Sequence, residues 1–102
     1  MFYKAYILTF DKKFLDGFDY SKFHNQLTVA NGIINWWHHL ESTYIFIVDY
    51  TVTAKNITDF IMLHMPNKRF FVCELKLGNY NGWLDPKAWD WINQQINSGS
   101  IT

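Results

Sequence analysis

The chain has 102 residues and a formal net charge of zero, with nine basic and nine acidic side chains. At 49% hydrophobic and 18% charged it is too apolar for a disordered segment, and it is long enough for one domain around one core. Neutrality argues against a non-specific nucleic-acid binder that works through phosphates alone, which needs an excess of Lys and Arg, although a local basic patch remains compatible with it.

In chain order, residues 2–10 form an aromatic and β-branched run whose polar side chains are Lys4 and Thr9; this predicts a strand inside a sheet. The run lacks the apolar core and cleavage site of a signal peptide, and no later run approaches membrane-spanning length, so a soluble cytoplasmic protein is expected. Asp16-Gly17 marks a turn. Asp19 or Ser21 can cap a helix reaching about residue 30, with Phe23, Leu27 and Ala30 on one face, and Asn31-Gly32 stops it. Residues 33–40 and 43–50 predict two strands. The break at Glu41-Ser42 is too short for a helix, so they pair as an antiparallel hairpin. Thr53 caps a second helix over residues 54–65, with Ile57, Phe60, Ile61 and His64 on its inner face, and Pro66-Asn67 ends it.

Residues 69–77 alternate as an edge strand. Cys73 lies within it, and the spacing predicts a buried, inert thiol. As the single cysteine it excludes an intramolecular disulfide. Asp85-Pro86 opens a third helix with Trp89, Ile92 and Ile96 as its apolar stripe, and Trp83, Trp89 and Trp91 are expected to pack it onto the sheet or a partner. One domain over residues 1–96 and a frayed tail at 97–102 follow. Twenty aromatic rings in so short a chain belong either on a partner surface, ligand groove or open sheet face, or at the partly exposed rim of a filled core.

The order β-α-β-β-α-β with an added C-terminal helix predicts an α+β, ferredoxin-like split βαβ fold, its antiparallel four-stranded sheet running fourth, first, third, second, with both main helices on one face. That topology gathers Asp11, His39, Glu41, Ser42, Thr43, Lys68 and Arg69 at one end of the sheet and sends Asp49 to the other. Asp11 reads as a metal-binding carboxylate or general base, or as a residue that accepts turn hydrogen bonds and stops the strand. His38 and His39, adjacent in a strand, point to opposite faces and cannot form a simple metal pair. His24 reads as a surface helix residue and His64 as a hydrogen-bonded core histidine. Ser42 is a possible nucleophile without a Gly-x-Ser-x-Gly elbow around it, which favours a turn role.

Three segments carry a resemblance over nearly the whole chain: Thr9-Phe10-Asp11, the hairpin Trp37-His38-His39-Leu40-Glu41-Ser42-Thr43, and the ending Gly82-Trp83-Leu84-Asp85-Pro86-Lys87-Ala88-Trp89. Together they resemble small bacterial and phage proteins grouped under a SinR-like label, unlike the helix-turn-helix repressor of that name. Their fold resembles that of the CRISPR adaptation subunit that partners the integrase, and of the VapD ribonuclease toxins. The resemblance implies a homodimer that binds or acts on RNA. In the CRISPR subunits an Asp closes the first strand at the dimer interface; some members are metal-dependent nucleases and others are scaffolds. Asp11 matches that position, which implies a divalent cation (magnesium or manganese) held by Asp11, with His39, Ser42 and Thr43 positioning phosphate or water and Glu41, Lys68 and Arg69 contacting the ligand. The neutral charge and the C-terminal helix, where those proteins often add a strand, are departures that bear on catalysis and on duplex DNA binding. The alternative is a non-catalytic module: a toxin–antitoxin or phage-defence component, or a sponge for a nucleotide ligand.

Overall fold

The computed structural model describes residues 2–11, 18–65, 69–76 and 78–95. The elements in order are β1 (Tyr3–Phe10), α1 (Tyr20–Leu27), β2 (Ile33–Leu40), β3 (Thr43–Asp49), α2 (Ala54–His64), β4 (Phe70–Glu74) and α3 (Pro86–Gln95). The four strands form one sheet in the order β2-β3-β1-β4, every neighbouring pair antiparallel. This is the ferredoxin-like arrangement with an added C-terminal helix. Among the described residues no helix is long and apolar enough to cross a membrane. The expected turn at Asp16-Gly17, the stop at Pro66-Asn67, Lys68, Ile96 and the tail at 97–102 lie outside the described residues.

Local chemistry sets the helix ends. The Asp19 carboxylate accepts the Lys22 backbone N–H at 2.9 Å, which satisfies one of the donors that a helix start leaves unpaired. At the far end of α1 both the backbone N–H and the hydroxyl of Thr28 donate to the His24 carbonyl, at 3.0 and 2.8 Å. α2 begins with a reciprocal capping box: Thr53 Oγ1 accepts the Asn56 N–H at 3.1 Å and Asn56 Oδ1 accepts the Thr53 N–H at 2.9 Å. α3 starts at Pro86, whose missing N–H costs nothing at that position, and the Asp85 carbonyl accepts from Ala88 and Trp89. Gly32, between α1 and β2, has φ +91°, and a Cβ there would meet Val52 Cγ2 at 2.9 Å. A side chain at this turn would meet both backbone strain and a clash.

Strand alternation divides the core in two. Even-numbered residues of β1 and β3, from Tyr6 to Phe10 and from Tyr44 to Val48, face α1 and α2 and pack on Phe23, Leu27, Ile57 and Ile61. The opposite face carries Ala5, Ile45, Ile47 and, from β2, Trp37, packed on Ala88 and Ile92 of α3. The buried Trp37 indole N–H donates to the Ala88 carbonyl at 3.1 Å, so one side chain both fills and ties this second layer.

Three expectations are corrected here. β4 is shorter than residues 69–77 and ends at Glu74. Cys73 is exposed rather than buried: it sits on the edge strand, on the face that α3 covers, but α3 lies against β2 and leaves the β4 side open. Trp89 and Trp91 do pack against the second core layer, whereas Trp83 is 100% exposed.

Candidate functional site

The end of β1, the β2–β3 turn and the start of β4 are stitched together by backbone. The Phe10 N–H donates to the Ser42 carbonyl at 3.1 Å and the Asp11 N–H to the Arg69 carbonyl at 2.9 Å. Thr43 Oγ1 approaches Thr9 Oγ1 at 3.4 Å. Asp11, Glu41, Ser42, Thr43 and Arg69 therefore share one end of the sheet, and Asp49 lies at the other, opposite Tyr3. There the backbone N–H and hydroxyl of Thr51 both donate to the Asp49 carboxylate, at 3.0 and 2.8 Å, and hold its pKa below the ordinary value.

Sharing an end is not sharing a site, because the sheet and the register separate these groups. Asp11 and Arg69 line a shallow depression with Thr9, Phe10, Phe70 and Phe71. Glu41 lines a different one, about 450 Å³ in volume, between α1 and the β2–β3 hairpin. His39 faces the α3 side, its ring 5.3 Å from that of the buried Trp37. Ser42 enters through its turn carbonyl. Among the described residues no three His, Cys, Asp or Glu side chains come together as a metal-holding group. Asp11 is a single carboxylate in a depression it shares with a guanidinium, a poor fit to a divalent cation.

The larger depression holds a different chemistry. His24 and His38 both line it, with Tyr44 between them. The Tyr44 hydroxyl lies 2.7 Å from His24 Nδ1. The Tyr44 ring stacks on the His38 imidazole, centroids 3.9 Å apart and planes within 1°. His38 Nδ1 lies 2.9 Å from the Thr43 carbonyl. A carbonyl only accepts, so Nδ1 carries the hydrogen and the lone pair of the neutral ring is on Nε2. The two imidazole centroids are 5.8 Å apart, and the half-exposed Trp36 meets His24 edge-on at 4.8 Å.

The environment shifts two of these groups. Burial, and then the charge on His38, push the His24 pKa below its ordinary value. Burial pushes Tyr44 from an ordinary 10.0 up to about 12. Both shifts have a stability consequence. Tyr44 holds its proton more firmly folded than unfolded, so its contribution is complete below pH 10 and is lost as pH rises toward 12. The loss is about 2–3 kcal/mol for a shift of this size. His24 acts in the opposite direction: its neutral form is favoured in the fold, so stability falls as pH drops below about 6.5 toward the lowered folded value. Urea unfolding between pH 9 and 12 is expected to show the alkaline loss in the wild type and a shallower one in Tyr44→Phe; equal slopes would contradict the assignment to Tyr44.

His24 therefore departs from the expected surface role. It follows Phe23 and precedes Leu27 by three, which sets it at the border of the buried helix face, and only the packing of α1 on the hairpin turns that border toward Tyr44 and His38. Tyr44 read as one more apolar strand residue, since nothing local marks a tyrosine whose hydroxyl meets a helix twenty residues away. His38 and His39 do point to opposite faces as alternation requires. His64 is half-buried, with its ring against Phe60 at 4.4 Å. Comparison with protein-family models, curated proteins and solved structures finds no match to this chain.

Proposed function

We propose that this chain is a homodimeric protein that binds and acts on RNA, with the His24–Tyr44–His38 depression as the contact site. The observation that carries the reading is the meeting of two imidazoles over the buried Tyr44 in one half-open depression at the hairpin end of the sheet, with the half-exposed Trp36 edge-on to His24 beside it. Unpaired bases stack on such rings, and a protonated imidazole attracts the backbone phosphate. Zero net charge fits single-stranded RNA held by rings better than duplex held by phosphates, and it implies a weak dependence of affinity on salt. The dimer is supported by the edge position of β4, five residues long with Phe71 exposed beside it.

Fluorescence anisotropy with a labelled single-stranded RNA tests the reading. The expected result is binding that declines little between low and physiological salt and that Trp36→Ala weakens about tenfold, the size of one lost base stack. Absence of binding by the wild type, or an unchanged affinity in Trp36→Ala, would overturn it. Sedimentation of the same samples reads the dimer.

A second reading, a non-catalytic module that captures a nucleotide ligand, is supported by a groove of about 310 Å³ on the opposite face. Trp37, Leu40, Tyr80, Leu84 and Trp89 wall it, and Trp83 stands at its rim. Thermal stabilisation by mononucleotides, lost in Trp83→Ala and without turnover of RNA, would favour this reading over the first.

A further inference from the structure

We infer that His24 and His38 form a metal-independent acid–base pair that cleaves RNA through its own 2′-hydroxyl, a step that rests on the RNA-binding reading above. Each ring is held through Nδ1, and both rings line the same depression. His38 Nδ1 is tied to the Thr43 carbonyl at 2.9 Å and His24 Nδ1 to the Tyr44 hydroxyl at 2.7 Å, so both rings have Nε2 as their remaining nitrogen. At 5.8 Å between centroids, one phosphodiester can reach both.

The surroundings favour a single shared proton. The face of Tyr44 lies against His38 at 3.9 Å and holds its ring, and the Thr43 carbonyl accepts from Nδ1 whichever state Nε2 is in. His24 is partly enclosed and sits beside His38, and both effects favour its neutral form. The other groups facing the pair are Tyr20, Ser21 and Asn25 from α1, Phe10 from β1 and Glu41 from the β2–β3 turn. Glu41 is the ionisable group among them besides Tyr20. General acid–base transfer requires one neutral imidazole beside one charged one, and the lowered pKa of the partly enclosed His24 fits it to the neutral role.

The step balances without metal, water or a redox partner. His24 Nε2 takes the proton of the ribose 2′-hydroxyl while its Nδ1–H donates to Tyr44. The 2′-oxygen forms a bond to phosphorus. The bond from phosphorus to the 5′-oxygen breaks, its electron pair goes to that oxygen, and the oxygen takes the proton from His38 Nε2. The products are a 2′,3′-cyclic phosphate and a 5′-hydroxyl. Exchange with solvent returns the proton from His24 to His38. In this scheme Tyr44 touches no substrate and acts as a positioning residue.

The experiment incubates the full chain in EDTA with a 5′-labelled single-stranded RNA, and with the same RNA carrying one 2′-deoxy nucleotide at the cleaved position, across pH 5 to 9. Expected are cyclic-phosphate ends, a bell-shaped pH profile, and binding without cleavage for the 2′-deoxy substrate. His24→Gln and His38→Gln should each lower the cleavage rate at saturating RNA by about a hundredfold or more. Tyr44→Phe keeps the ring and the fold, and should lower the rate less while moving the acidic limb of the profile. Binding of RNA by the wild type without cleavage in EDTA, cleavage leaving 5′-phosphate ends, or wild-type rates in both histidine variants would overturn the acid–base pair and leave the binding reading standing. Absence of RNA binding would overturn both.

Discussion

Phe46→Ala is expected to cost about 3–5 kcal/mol, close to the whole stability of many domains of this size. Phe46 is 0% exposed and sits in β3 between Trp36 of β2 and Tyr6 of β1 in the strand register. Its ring stacks on Tyr44 at 5.5 Å and faces the layer of α1 and α2. Truncation removes the apolar contacts and leaves a void that three packed elements cannot close without distorting the hydrogen-bonded ladder. Phe46→Leu keeps most of the volume and should cost less than about 1.5 kcal/mol. Urea unfolding followed by far-ultraviolet circular dichroism distinguishes the two; a loss below about 1 kcal/mol for Phe46→Ala would show that this position is not central to the first core layer. Tyr44 would also lose one of its ring neighbours, so the proposed RNA binding should fall as well in any folded Phe46→Ala protein.

Trp37→Ala should be comparably severe, at about 3–5 kcal/mol, for a different reason. Trp37 is the largest buried side chain in the smaller second layer, and its indole N–H donates to the Ala88 carbonyl at 3.1 Å. Of α3 only Ala88 and Ile92 are buried there, with Trp89 and Trp91 half-buried beside them, so Trp37 is a principal anchor of that helix on the sheet. Alanine removes the packing and the indole hydrogen bond to the Ala88 carbonyl. Trp37→Phe isolates the second effect. It keeps an aromatic ring and loses the hydrogen bond, with an expected cost of about 1–3 kcal/mol. Amide exchange by nuclear magnetic resonance reads the consequence directly: protection should fall in α3 first while β1 and β3 keep theirs. Uniform loss of protection in all elements would argue that α3 is not held through Trp37.

Much of the architecture was legible because its signals are local. Asp19, Thr53 and Pro86 mark helix starts through groups that each residue carries itself, and all three helices begin where those residues stand. The two-residue break at Glu41-Ser42 admits only a hairpin, and the hairpin with its flanking helices left the split βαβ order as the arrangement to expect. Strand alternation also placed His38 and His39 on opposite faces. Cys73 shows the limit of that logic. Alternation assigns it to the face shared with Phe71, but whether a helix covers that part of the face depends on where α3 lands.

The candidate site was less legible, because each of its residues looks ordinary in isolation. His24 is a polar residue on a short amphipathic helix, and Tyr44 is an aromatic in a buried strand. Their 2.7 Å contact exists because α1 packs across the hairpin end of the sheet, and the stack of Tyr44 on His38 exists because the β2–β3 register sets those rings on the same face. The amino-acid sequence by itself determined the elements, their order and which side each strand residue faces, since caps, turns and alternation act over a few bonds. The tertiary structure alone decided that the polar end divides into two depressions, and that the imidazoles meet in one of them. Contacts between elements far apart in the chain depend on packing and register, to which no short-range signal is sensitive.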